Sequence, residues 1–161
     1  MKIAYFKSPI GWIELKGDAS GLGSVIFIDS EISSEENNRE KLPNSLQKTI
    51  EQLTEYFEGN RQTFDIPLSP QGTEFQKKVW RELQEIPFGK TTSYQKMANA
   101  LGDPKVIRAA ASANGKNPIS IIIPCHRVIG TDGSLTGYAG GLQRKKWLLQ
   151  HESPVKQGEL F

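Results

Sequence analysis

One stretch of the chain, Ile121 to Gly130 (IIIPCHRVIG), gathers the residue types that do covalent chemistry. Cys125 is the one cysteine among 161 residues, His126 is one of two histidines, and Arg127 adds a guanidinium. A thiolate is the reactive form of cysteine, and a free thiol with pKa ~8.5 yields only a few per cent of it at neutral pH. An imidazole that takes the proton and a guanidinium that steadies the charge would raise that fraction. The residues suit a nucleophile with its base. They also suit an inert small hydrophobe behind a buried run, a common place for free cysteine. Adjacent side chains of an extended segment point to opposite faces, so His126 reaches Cys125 only through a backbone bend or a bridging water. A third residue from elsewhere in the chain must then orient the ring.

The elements that position these groups follow from patterning. Ile121, Ile122 and Ile123 predict a strand buried on both faces, ended by Pro124. Upstream, Thr73 is expected to cap a helix with Phe75, Val79, Leu83 and Ile86 as its apolar stripe, Trp80 in the core, and Pro87 and Gly89 as the stop. Thr92 or Ser93 then caps a helix presenting Tyr94, Met97, Ala98 and Leu101 on one face. Gly102-Asp103-Pro104 breaks it, and a second helix runs from Lys105 to about Asn114, the outline of a helix-turn-helix. That second helix is nearly smooth, from Ala109 to Ala113 with only Ser112 intervening, and to read bases it offers Arg108 and little else. Sequence-independent docking on nucleic acid fits this composition, as does an alanine-rich helix packed between neighbours. Asn117-Pro118 reads as an ordinary turn into the Ile run. Beyond Cys125, Thr131 to Ser134 predicts a hairpin turn, and Gly137-Tyr138-Ala139-Gly140-Gly141 is either a flexible loop or a wall of small residues beside a flat ligand. Leu142 to Glu152 forms the last helix, with Arg144, Lys145 and Lys146 for phosphates and Trp147 and Leu148 for the core.

The N-terminal part offers scaffolding. Residues 2–6, 12–16 and 22–28 predict strands of an antiparallel meander, residues 30–41 an exposed loop, and residues 64–68 a further strand. A helix after Pro43 carries Leu46, Ile50, Leu53 and Phe57 and ends at Gly59. Residues 1–70 hold seven Lys/Arg against eleven Asp/Glu, a balance of −4, whereas residues 71–161 hold thirteen against seven, a balance of +6. The basic half is the one expected to meet a polyanion. A single cysteine excludes an internal disulfide and fits a reducing, cytoplasmic compartment. No apolar run is long enough for a membrane span or a signal peptide.

The PCHRVIG run, with Asn117-Pro118 before it and Gly137 to Leu142 (GYAGGL) after it, resembles the active-site region of the O6-alkylguanine-DNA alkyltransferases, and the likeness extends from about Thr73 to Glu152. The resemblance implies an α+β protein: residues 1–70 a ribonuclease-H-like scaffolding domain with an antiparallel sheet and a helix, residues 71–155 a mostly helical DNA-binding and catalytic domain, and residues 156–161 a flexible tail. It implies transfer of a methyl or larger alkyl group from O6 of a flipped-out guanine, and from O4 of thymine as a second substrate class, to Cys125. By the same likeness His126 is the base acting through a water, Glu152 orients it, Tyr94 donates a proton and supports nucleotide rotation, and Asn117 is a hinge. Arg108 fills the gap left by the base, with Thr92, Ser93, Ala109, Ser112 and Ala113 against the minor groove. Pro124, Val128, Tyr138, Ala139 and Gly140 line the guanine pocket. Neither cofactor nor metal is implied, a monomer on duplex DNA is expected, and Gln157, Leu160 and Phe161 resemble a sliding-clamp-binding tail. Two other readings stay open: a protein that binds alkylated DNA without reacting, which Cys125 speaks against, and a cysteine hydrolase.

Overall fold

The computed structural model describes residues 1–154, so the expected clamp-binding tail at Gln157, Leu160 and Phe161 lies outside the described residues. The chain divides into two compact units, residues 1–71 and the remainder. In the first, strands β1 (Lys2–Ser8), β2 (Gly11–Asp18) and β3 (Gly21–Ile28) form an antiparallel sheet in sequence order, each longer than patterning suggested. The first turn is closed by the Ser8 hydroxyl donating to the Gly11 carbonyl at 2.6 Å. In the second, the Asp18 carboxylate accepts from the Ser20 amide and hydroxyl at 2.9 and 2.8 Å. Gly21 is required there: its φ is +145°, and a Cβ would lie 2.7 Å from the Pro67 carbonyl oxygen.

Helix α1 (Asn44–Phe57) packs on this sheet. Its buried face is Leu46, Thr49, Leu53 and Tyr56, while Ile50 and Phe57 of the expected stripe are only half-buried. Gln52 on the same helix clamps the backbone of Asp65 in both directions, at 2.9 and 3.2 Å. The strand expected at residues 64–68 shrinks to one bridge, Leu68 beside Leu22. Pro67 lacks an amide proton, so a longer ladder cannot form there.

The second unit begins with α2 (Glu74–Leu83), whose start is a reciprocal capping box between Thr73 and Gln76. Trp80 is buried, and its indole N–H donates to the Ala113 carbonyl at 2.9 Å, tying α2 to the second helix of the helix-turn-helix. That pair is α3 (Tyr94–Ala100), capped by the Ser93 hydroxyl, and α4 (Ile107–Gly115), entered through a 3-10 turn at Pro104–Val106. Two short strands, β4 (Thr92–Ser93) and β5 (Val128–Ile129), pair in parallel, and α5 (Leu142–Glu152) closes the unit.

Two expectations fail here. The Thr131–Ser134 turn forms, with Gly133 N–H on the Gly130 carbonyl at 2.8 Å, but no hairpin follows, because β5 pairs with β4. Ile121, Ile122 and Ile123 are buried as expected yet form turns, not a strand. Three branched apolar residues report burial, not backbone conformation, and here the polar backbone is satisfied locally instead of by a ladder. Ile122 N–H reaches the Ser120 carbonyl at 2.8 Å, Ile123 N–H the Ile119 carbonyl at 3.1 Å, and Cys125 N–H the Ile123 carbonyl at 2.8 Å. Ile121 has φ +72°, a left-handed conformation that a β-branched residue adopts only when its surroundings impose it.

Candidate active site

The winding continues through the reactive residues. Cys125, His126 and Arg127 occupy one 3-10 turn, in which successive side chains are rotated by about 120°. The turn supplies a backbone bend between Cys125 and His126, but neither ring nitrogen bonds the thiol: Nε2 meets a carboxylate and Nδ1 has no hydrogen-bond partner. His126 and Arg127 converge on a single carboxylate. The Nε2 of His126 lies 2.8 Å from Oε2 of Glu152, while Arg127 grips the same carboxylate with Nε at 2.7 Å to Oε1 and a second nitrogen at 3.1 Å to Oε2. A third guanidinium bond goes to the Ile86 carbonyl at 2.6 Å. All three side chains are buried. Arg127 therefore braces Glu152. Burial alone would raise the Glu152 carboxyl, but His126 and then Arg127 outweigh it and hold the group far below the usual carboxylate range.

The Glu152 contact also selects the imidazole tautomer. With Nε2 donating to the carboxylate, the lone pair sits on Nδ1, and that nitrogen is buried with no hydrogen-bond partner.

Cys125 is 4 % exposed. Its thiol pKa is raised, burial being the largest cause, while hydrogen bonding from Asn117 and the charge of Lys145 act in the opposite sense. The resting group is thus a protonated thiol. Asn117 organises the turn around it: Oδ1 accepts from the Ile119 amide at 3.0 Å, and Nδ2 donates to the Ile123 carbonyl at 2.7 Å and the Ile119 carbonyl at 3.3 Å.

Lys145 is the residue whose role the sequence reading mistook. Expected at phosphates, it is fully buried, with Nζ donating to the Val128 and Thr136 carbonyls at 2.7 Å each. Burial lowers its pKa to about 8, against an opposing pull from Cys125. Helical spacing carried the signal: Lys145 shares one face of α5 with Leu148, Leu149 and Glu152, all buried. Trp147, expected in the core, is half-buried and stacks on His151.

A cavity of about 710 Å³ opens between α4 and the glycine-rich loop, walled by Tyr94, Arg108, Asn114, Gly137, Tyr138 and Ala139 among others. Tyr94 donates to the Thr136 carbonyl at 3.3 Å, and burial raises its pKa, so it stays a proton donor. Burial pushes Tyr138 well up in the same way. Arg108, Ala109 and Ser112 are exposed on α4. Ala113 is not: it faces inward, and its carbonyl receives Trp80. It lies one turn beyond Ala109, so periodicity alone puts the two on neighbouring ground, and packing rather than spacing withdraws Ala113 from the surface. Thr92 and Ser93 are half-buried in β4, where Ser93 serves as a helix cap. Of the residues expected in the pocket wall, Tyr138 and Ala139 are there; Pro124 and Val128 are buried outside it, and the Gly140 carbonyl is held by Arg144 at 3.1 Å.

Residues 1–70 match the model of the 6-O-methylguanine DNA methyltransferase ribonuclease-like domain, and residues 74–154 match that of the DNA binding domain. A methylated-DNA–protein-cysteine methyltransferase of Methanosarcina acetivorans is 48 % identical over 94 % of this chain and 98 % of its own length. One of Mycobacterium bovis is 43 % identical over 95 % of this chain and 93 % of its own. Among solved structures, the Mycobacterium tuberculosis O6-methylguanine methyltransferase superposes with TM-score 0.81 at 40 % identity, covering 99 % and 98 % of the two chains. The same organism's protein in complex with DNA gives 0.82 at 39 % identity, covering 98 % and 97 %.

Proposed function

The chain belongs to the O6-alkylguanine-DNA alkyltransferase family, and from that premise we propose that it repairs DNA by moving an alkyl group from O6 of guanine onto Cys125, once per molecule. The observation that carries this reading is the juxtaposition of one buried thiol, a carboxylate-oriented imidazole with a free acceptor nitrogen, and a cavity walled by the second helix of a helix-turn-helix. The carbon to be transferred is out of reach inside a stacked duplex, so the nucleotide must be extruded at a cost of roughly a few kcal/mol. Arg108, exposed at the cavity mouth, is suited to fill the space it leaves.

The thiol proton passes to Nδ1 of His126 through a bridging water, and Glu152 stabilises the imidazolium that results. Sulfur then attacks the alkyl carbon in line with the breaking carbon–oxygen bond. One sulfur–carbon bond forms, one carbon–oxygen bond breaks, and the departing guanine takes up one proton, with Tyr94 as the donor beside it. Asn117 keeps the turn in register with α4. The thioether product resists thiol exchange, and no second cysteine exists to attempt it, so turnover ends there.

Duplex DNA is the partner, and the helix-turn-helix with its smooth α4 supports minor-groove docking through Ala109 and Ser112. A monomeric state, a cytoplasmic location and clamp binding through the tail complete the proposal; among the described residues no helix is long and apolar enough to cross a membrane. Mass spectrometry after incubation with a duplex carrying O6-methylguanine tests the central claim. One added methyl on Cys125, absent in Cys125→Ala, is expected; an unmodified protein overturns it.

A further inference from the structure

A second cavity, of about 240 Å³, opens between the end of α2, the segment that follows it and α3. Ile86, Pro87 and Met97 give it apolar surface, and four charged side chains of both signs share its wall: Glu82, Glu85, Lys90 and Lys96. Among the described residues none of these four is in an ion pair. The space is smaller than the roughly 300–1,000 Å³ of pockets that enclose small molecules, and it suits one or two side chains of a peptide segment.

The described chain leaves the fold beside this cavity. A Cβ on Gly89 would lie 3.1 Å from the Glu152 carbonyl oxygen and 3.8 Å from Cδ of Pro154, and Gly89 sits between Pro87 and Lys90 of the wall. Residues 155–161 follow, VKQGELF, a stretch that reaches about 23 Å when extended. It carries one cation, Lys156, one anion, Glu159, and an apolar pair, Leu160 and Phe161, so each kind of group in the cavity has a counterpart in the segment. Tethering at the edge supplies an effective concentration of about millimolar, and weak contacts then suffice. We propose that this cavity is the docking site of the chain's own residues 155–161, with Leu160 and Phe161 against Ile86 and Met97, Glu159 toward the two lysines and Lys156 toward the two glutamates. The docked segment rests on Ile86, whose carbonyl receives Arg127 at 2.6 Å, and so it backs the grip of Arg127 on Glu152. The proposal does not depend on the alkyl-transfer reading. Leu160 and Phe161 cannot serve the cavity and a sliding clamp at once, so clamp binding has to draw the segment out.

Backbone amide NMR spectra of the full chain test this, comparing the wild type with the double variant Leu160→Ser/Phe161→Ser. The resonances of Ile86, Lys90, Lys96 and Met97 should move in the double variant, while those of the three-stranded sheet stay in place. Glu159→Lys alone should move those of Lys90 and Lys96. Cavity resonances that coincide in the wild type and the double variant overturn the proposal. Differences that grow with protein concentration overturn it too, because the occupant would then be the segment of a second copy. Should the double variant precipitate, Glu159→Lys decides by the same criteria.

Discussion

The Nε2 of His126 meets Oε2 of Glu152 at 2.8 Å, and the two side chains are 0 % and 1 % exposed. A carboxylate this deep is tolerable because Arg127 also pairs with it, and because each oxygen has a hydrogen-bond donor. Replacing the carboxylate by an amide removes the counter-charge while keeping the shape. Glu152→Gln is expected to destabilise the fold by about 3 kcal/mol or more and to slow methyl transfer at least ~100-fold. Thermal unfolding and single-turnover kinetics check both, and wild-type kinetics in the variant would remove Glu152 from the mechanism.

Glu152 also ties stability to acid. Its folded pKa is depressed, so the contribution is full above the ordinary carboxylate range and drains away as pH falls below it toward the folded value. Denaturant midpoints recorded from pH 6 downward should drop more steeply below about pH 4.5 in the wild type than in Glu152→Gln.

Lys145 links stability to pH in the same sense but in an alkaline window. Its folded pKa of about 8 lies below the ordinary lysine value, so the unfolded chain binds the extra proton, and stability linked to this group rises between about pH 8 and pH 10.5. Lys145→Met should lack that rise. The variant should also alkylate more slowly with iodoacetamide at pH 7.5, because Cys125 loses a neighbouring positive charge. Equal alkylation rates would show that the ammonium serves the loop alone.

Arg108 separates chemistry from extrusion. It is exposed at the cavity mouth. Arg108→Ala should cut methyl transfer from duplex DNA by about tenfold or more while leaving transfer from the free O6-alkylguanine base within about twofold. An equal loss on both substrates would place Arg108 in the pocket's chemistry rather than in the duplex.

Methylated protein should be less stable than fresh protein. Cys125 is 4 % exposed, and forcing an added methyl into packed surroundings costs about 1–3 kcal/mol, which lowers the melting temperature by several degrees in a chain of this size. Melting curves before and after reaction decide it, and an unchanged or higher midpoint counts against a tight fit around sulfur.

Legibility in the sequence varied with how local the determinant was. The Thr73 cap, the buried Trp80 and the break at Gly102-Asp103-Pro104 are matters of a few adjacent residues, and each is where patterning put it. The Ile121–Ile123 turns were hidden, because hydrophobicity reports depth, and the Asn117-Pro118 pair just upstream reads as an ordinary turn although the Asn117 side chain replaces a ladder partner for Ile119 and Ile123. Charge misled at Lys145: a lysine between arginine and lysine reads as surface until its spacing to Leu148, Leu149 and Glu152 is counted. Asn114 carried no distinguishing mark at all. Only the fold brings its side chain to the carbonyl of Cys125, eleven positions further along the chain.

The carbonyl of Thr136 is held from two sides, by the Tyr94 hydroxyl at 3.3 Å and the Lys145 ammonium at 2.7 Å. These two moorings differ in strength, the charged one being the shorter. In the proposed transfer Tyr94 turns its proton toward the incoming base, and the segment then stays berthed by Lys145. Tyrosine can thus be spent on catalysis without casting the pocket wall adrift.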